Sequence, residues 1–465
     1  MLFNSFSFLI FFPSVCILYF ILPYKYRWVF LLLASYYFYM NWKPIYALLI
    51  FGSTLVTYLS SLLIDKFREQ KPKKRLFLVL SLILNFGVLF IYKYYNFINE
   101  SVYQLFDYLN ISYKVPNLDV LLPVGISFYT FQAVGYTIDV YRGDIKPERN
   151  LGIYALFVSF FPQLVAGPIE RAKSLLPQFR QKFDFDAIRI AAGLKQMLWG
   201  FFMKVVVADR VSIYVNAIYN NVDHHNGTTL LLATFLFSVQ IYCDFAGYSN
   251  IAIGAAKIMG FTLMENFRRP YFAKSISEFW KRWHISLSTW FRDYVYIPLG
   301  GNRVSPNRHL VNLFITFLMS GIWHGANWTF LIWGALHGFY LIIGVLKHRY
   351  FKDDSSSYVS ILITLLLVMF GWVFFRANNI TDAILVINKI FASQGKLFVD
   401  QSTLVYSLFG IALLFLKEIK DEYHLNFHFS SSKKMVIRYI YYVTMISIII
   451  LFGVFDGSQF IYFQF

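Results

Sequence analysis

The sequence predicts an all-α, polytopic integral membrane protein, and three observations carry the prediction. Of its 465 residues 58% are hydrophobic and 14% charged, far from the roughly 45–50% apolar and 25% charged make-up of a soluble domain. Apolar runs suited to crossing a bilayer recur from one end to the other, at residues 6–22, 44–64, 76–95, 229–243, 358–375 and 436–455. No long hydrophilic stretch remains for a second, soluble domain, so residues 1–465 read as one membrane-embedded domain.

Taken in order, the first run has no basic residues ahead of it and no small-residue cleavage site after it at FILPYKYR, so it reads as a retained helix and not a signal peptide. Lys25 and Arg27 then form a first inner turn, and the tight NWKP link a first outer one, which puts the N-terminus outside. The cluster DKFREQKPKKR (65–75) is cytoplasmic by the positive-inside rule. So is the segment Lys257 to Arg308, with nine Lys or Arg against three acids. The connectors 96–119 and 219–228 are poor in Lys and Arg and belong outside. LLPVGISFYTFQ (121–132) and FFPQLVAGPIE (160–170) put Pro and Gly inside apolar runs. Such interrupted segments persist at membrane depth only where protein or a water-filled cavity covers their backbone. The total is about 11 or 12 crossings, with re-entrant segments and a cavity among them.

The net charge of +17 does not imply nucleic acid, because the basic residues sit in short connectors that membrane topology already explains. Cys16 and Cys243 are too few for a disulfide framework and lack metal-ligand spacing.

From NFRRPYFAKSISEFWKRWHISLSTWFRDYVYIPLGG (266–301) onward, aromatic and basic residues interleave without a clean spanning run, which predicts an in-plane helix. Ser275 and Glu278 supply a capping box and IPLGG the stop. Phe279, Trp280, Trp283, His284, Leu287, Trp290, Phe291 and Tyr294 recur at helical spacing, while Lys281, Arg282, Arg292 and Asp293 fall elsewhere. An aromatic face opposite a charged one is what an interfacial helix requires. His284 lies on the aromatic face, where burial favours the neutral imidazole; the plain alternative is a core histidine bonded to a carbonyl. Lys281 and Arg282 are expected to snorkel toward phosphates at the cytoplasmic surface.

His324 follows the apolar run LVNLFITFLMSGIW and is flanked by Gly321 and Gly325. A ring at that depth is costly unless it faces a polar cavity, and ionisable groups within spans are functional candidates. In one unbroken helix His337 would lie about 220° around from it, so the two would not share a face; helix packing and function are equal readings for His337. Upstream, SVQIYCDFAGYSNIAIGAAKIMGF embeds Gln240, Asp244 and Asn250 in an apolar helix. Asp244 could orient a histidine, bind substrate or simply pair with an Arg, and a structural network is the favoured reading. His224 and His225 lie in an outer loop and His309, His348, His424 and His428 near connectors, all in ordinary settings.

HExxH, Walker, GxGxxG and GxSxG patterns are missing, which removes support for metalloprotease, ATP-driven, dinucleotide and serine-hydrolase chemistry. What remains is a cavity with one or two neutral histidines, suited to taking a proton from a hydroxyl during acyl transfer.

At this point the sequence resembles a known family. LPVGISFYTFQ, VAGPIER, YCDFAGYSNIAIGAAKIMGF, NFRRPY, FWKRWHISLSTWFRDYVYIPLGG, GIWHGANWTFLIWGALHG, WVFFRA and the terminal FIYFQF stand in the order seen in the membrane-bound O-acyltransferases, in the bacterial branch of the alginate O-acetyltransferase membrane subunit. The resemblance implies helices around a funnel, with the WHG histidine, His324, as catalytic residue at its throat and His284 as the second polar position. It implies Asp244, Asn266, Arg282, Trp283 and Trp323 as substrate-binding groups, with no metal and no bound cofactor. It further implies an acyl donor, acetyl-CoA or another cytoplasmic thioester, docking near residues 265–308; an extracytoplasmic polysaccharide acceptor; an SGNH-type partner; and residence in a bacterial cytoplasmic membrane. Teichoic acid D-alanylation subunits share the RWH and WHG segments and give an alternative. A flippase for a lipid-linked saccharide, or a scaffold that recruits a partner through the outer loop 376–402 and the aromatic C-terminus, are the readings from other classes.

Overall fold

The computed structural model describes residues 1–350, 357–425, 432–455 and 460–461, and among them the regular structure is helical. His428 and residues 462–465 of FIYFQF lie outside the described residues. Eight helices among the described residues are long and apolar enough to cross a membrane: Tyr46–Lys66, Lys71–Tyr108, Ala187–Tyr219, Gly227–Met259, Trp328–Tyr350, Tyr358–Arg376, Gln401–Glu422 and Met435–Phe452. Other segments counted toward 11 or 12 crossings are shorter, such as Phe6–Ile21 with 16 residues and Tyr24–Met40 and Ile126–Arg142 with 17 each.

The chain forms two compact units. The first holds residues 1–193 and 255–264. Its interrupted segments resolve into the helix Ile126–Arg142, entered through Gly125 at φ 77°, and the short helices Leu151–Ser159 and Phe161–Leu164. Glu170 closes VAGPIE by accepting a hydrogen bond from the Met264 N–H.

The second unit, residues 194–254 and 265–465, contains every candidate site residue named above. Its central helix, Gly227–Met259, has 83% of its most apolar window buried, against 6% for Met435–Phe452. The former is therefore core and the latter a lipid-facing helix.

Helices Pro306–His324 and Trp328–Tyr350 form a hairpin turning at Gly325–Asn327. His324 and His337 therefore lie on different helices, and a single-helix angle between them does not apply. The arms touch at Gly321 and Gly334: a Cβ on Gly321 would stand 2.4 Å from the Phe330 carbonyl oxygen, and one on Gly334 2.6 Å from that of Phe317. Gly321→Leu should lower the thermal midpoint in detergent as an overpacking change of about 1–3 kcal/mol. Gly344→Ala, whose Cβ would meet nothing within 4 Å, should not; equal effects would refute this account of the hairpin.

The expected in-plane helix is corrected in one respect. It is two short helices, Ile276–Arg282 and Ile285–Phe291, broken at Trp283–His284. Ser275 Oγ accepts from the Glu278 N–H at 3.1 Å, while Glu278 reaches back to the Lys274 N–H at 2.8 Å, one residue earlier than a standard capping box. The aromatic face is buried inside the second unit, with Phe279, Trp280, Trp283 and Trp290 all packed away. The stop at IPLGG is as expected, with Gly300 and Gly301 at φ 105° and 57°.

The outer loop expected at 376–402 is also corrected. It contains the 13-residue helix Ile380–Ala392, because Asn379 Oδ1 caps the Asp382 N–H at 2.8 Å and Ala383 and Val386 give the helix an apolar face to bury.

Candidate active site

His324 is the last residue of its helix and is buried. Three aromatic rings surround the imidazole at centroid distances of 5.0 Å (Trp323), 4.9 Å (Trp333) and 5.3 Å (Phe375), all edge to face. Partial negative charge at a helix C-terminus favours a cation there, by about 0.3–1 kcal/mol and up to about 2 in partly buried geometry.

His284 occupies the break between the two short helices. Its backbone is left-handed, at φ 41° and ψ 55°, a conformation costing a non-glycine residue roughly 1–2 kcal/mol. The segment Asn266–Arg269 runs alongside and braces it. The Ile285 N–H donates to the Asn266 carbonyl at 3.0 Å, the Ser286 N–H to Asn266 Oδ1 at 3.2 Å, and the Arg268 N–H to the Arg282 carbonyl at 2.9 Å. Phe245 meets the imidazole edge to face at 4.4 Å and Phe267 stacks on it at 6.4 Å. Burial holds the imidazole well below the usual histidine range, so it is neutral at pH 7.

Trp323 joins the two histidines, its ring 6.0 Å from His284 and 5.0 Å from His324. His337 is not part of that pair. Trp333 lies against it at 4.8 Å, and its Nδ1 accepts the Trp280 Nε1–H at 3.3 Å, which puts the proton of the neutral ring on Nε2. Beyond it Gly371 approaches so closely that a Cβ there would stand 3.0 Å from His337 Nε2. This surrounding is one of helix packing.

The other expected site residues divide. Trp283 is fully buried between Phe279, Phe267 and Trp372, with ring centroids at 5.4, 5.1 and 5.1 Å. Arg282 does not snorkel: it bonds Glu278 at 2.7 Å and Glu422 at 2.9 Å, and Glu422 also takes Arg269 at 2.6 Å. Asp244 is in a buried ion cluster, 2.6 Å from Lys204 Nζ, which also holds Asp209 at 2.8 Å; its Oδ2 accepts the Ile461 N–H at 2.7 Å. Phe460, next in that segment, packs on Phe245 at 5.6 Å. Among the described residues no three His, Cys, Asp or Glu side chains are grouped to hold a metal.

Residues that sequence reasoning passed over are Trp333, Phe245 and Lys204. Lys204 carried a readable signal: a lone Lys in the apolar run GFFMKVVVADR is an ionisable group within a span. The aromatic residues carried none, since Trp and Phe are ordinary in such segments.

Known proteins match this chain over much of its length. Residues 150–381 match the profile of the membrane-bound O-acyltransferase family. A relative named "Probable alginate O-acetylase AlgI", from Pseudomonas aeruginosa, is 41% identical over 384 residues, covering 82% of this chain and 73% of its own. The "Peptidoglycan O-acetyltransferase" of Helicobacter pylori is 35% identical over 78% of this chain and 74% of its own. The "Teichoic acid D-alanyltransferase" of Bacillus subtilis is 28% identical over 55% of this chain and 69% of its own.

Proposed function

The chain belongs to the membrane-bound O-acyltransferase family and is a multi-pass membrane O-acyltransferase, and from that premise we propose that it moves an acetyl group from a cytoplasmic thioester to hydroxyls of an extracytoplasmic polysaccharide. The observation that carries the reading is the pair of buried imidazoles, His284 and His324, both packed against the Trp323 indole. Relatives named for two glycan acceptors, alginate and peptidoglycan, support the acceptor class. The donor is acetyl-CoA or another acyl thioester, docking at the basic segment 265–308 of a bacterial cytoplasmic membrane protein, and an SGNH-type partner outside completes delivery to the polymer.

His324 is the general base. It takes the proton of the hydroxyl that first receives the acyl group, from which the outer partner passes it on, as that oxygen attacks the thioester carbonyl; the C–O ester bond forms, the C–S bond breaks, and the proton passes to the departing thiolate. The C-terminal end of the helix favours the transient imidazolium. His284, neutral, donates its single N–H to the carbonyl oxygen where negative charge develops. Trp283 and Trp323 wall the acyl group, while Arg282 and Asp244 brace the site through their ion pairs.

The test gives radiolabelled acetyl-CoA and deacetylated alginate to membranes carrying the full chain and its outer partner. Release of free CoA with alkali-labile label on the polymer is expected. Transfer of D-alanine from a carrier protein, with acetyl ignored, would instead favour the teichoic acid reading. Movement of a lipid-linked glycan across vesicles without any thioester, and no label transferred, would refute the proposal.

A further inference from the structure

A non-glycine residue with left-handed backbone carries a proposed catalytic ring, and the segment Asn266–Arg269 holds it there. We infer that Asn266 is a positioning residue and not a substrate ligand: it holds His284 in its left-handed conformation and so aims the imidazole at Trp323 and the reacting thioester. The inference rests on the reading that His284 takes part in acyl transfer.

A non-glycine residue in the left-handed region persists only where its surroundings over-determine it. His284 is such a residue, and it is also the N-cap of the helix Ile285–Phe291. An N-cap side chain usually takes the first N–H groups of its own helix. Here those of Ile285 and Ser286 go to Asn266, the first to its carbonyl at 3.0 Å and the second to its Oδ1 at 3.2 Å. The Asn266 amide in turn donates to Ser249 Oγ at 3.2 Å, and Ser249 belongs to the buried helix Gly227–Met259. On the other side of the break, the Arg268 N–H binds the Arg282 carbonyl at 2.9 Å and Arg282 Nη1 donates to the Arg269 carbonyl at 3.3 Å. His284 is thus pinned from residue 282 and from residues 285–286, with Asn266 tying the second pin to the core.

The chemistry of the pin selects asparagine. The position needs an acceptor for Ser286 and a donor for Ser249 on one short side chain, and an amide supplies both. Asn266 is 1% exposed, and its amide already makes one bond as donor and one as acceptor within the protein.

The experiment measures acetyl-CoA turnover by the full chain, with and without the acceptor, together with the imidazole resonances of histidine-labelled protein in detergent. Asn266→Ala should lower kcat about 10- to 100-fold at unchanged KM for acetyl-CoA, the cost of displacing a reacting group by about an ångström. Its His284 resonance should move while that of His324 stays. Asn266→Asp keeps the Oδ1 acceptor and should recover most of the lost rate. If the alanine variant does not accumulate, Asn266→Ser, whose hydroxyl falls short of the Ser286 N–H, is read in the same way. A raised KM at unchanged kcat makes Asn266 a substrate contact and overturns the inference, as does an unmoved His284 resonance. His284→Ala with normal turnover would remove the catalytic reading of His284 alone; Asn266 is then judged by the resonance.

Discussion

His324→Ala, compared at matched abundance in the membrane, is expected to cut acyl transfer by about 10² to 10⁴-fold, the usual contribution of a positioned general base. The size follows from what the ring does and from what surrounds it. Its walls are Trp323, Trp333 and Phe375, none of which can accept a proton from a hydroxyl. These three rings cannot replace the imidazole as a base. His324→Phe should fare no better than alanine although it refills the space, which separates lost chemistry from lost packing. The comparison is read as free CoA released and ester formed on the polymer, with thermal midpoints measured alongside. Normal acylation by either variant would remove His324 from the mechanism. A full rate for the phenylalanine variant with a low one for alanine would reduce the ring to a packing element.

How far the sequence itself carried this site depends on the range of the interactions involved. Apolar runs are local patterns, so the spans they announce, such as 44–64 and 358–375, have counterparts in Tyr46–Lys66 and Tyr358–Arg376. The depth of His324 was legible for the same reason. The break at His284 was not, because Phe279, Trp283 and Leu287 keep their helical spacing across it and the cause of the break is Asn266, a separate segment. The hairpin was hidden likewise: GIWHGANWTFLIWG is apolar on both sides of the turn, and only the contact of Gly321 with Gly334 reveals two arms. Arg282 was read as a snorkelling cation since its Glu422 partner is 140 residues away in the chain. Its other partner, Glu278, stands four residues earlier and was legible as an i,i+4 pair.

The same long-range logic sets the second large effect, at Lys204. Its ammonium, in the π-helical stretch Phe202–Ala208, lies between Asp209 at 2.8 Å and Asp244 at 2.6 Å, with all three side chains at most 5% exposed. The ammonium is the partner both carboxylates share, so its removal disturbs both ion pairs at once. Lys204→Met should cost about 3–5 kcal/mol, the penalty for removing one partner from buried charges. It should be seen as sharply lower abundance and thermal midpoint. Asp244→Asn should cost less, because the remaining Lys204–Asp209 pair is neutral and the amide oxygen can still accept the Ile461 N–H; a loss of about 1–3 kcal/mol is expected. The ordering, and not either value alone, is the test. If Asp244 instead serves the substrate, Asp244→Asn should raise KM at unchanged stability. That result, or a Lys204→Met protein as stable as the parent, would contradict the bracing role, in which Asp244 ties the segment at Phe460–Ile461 to Phe245 and through it to the His284 ring.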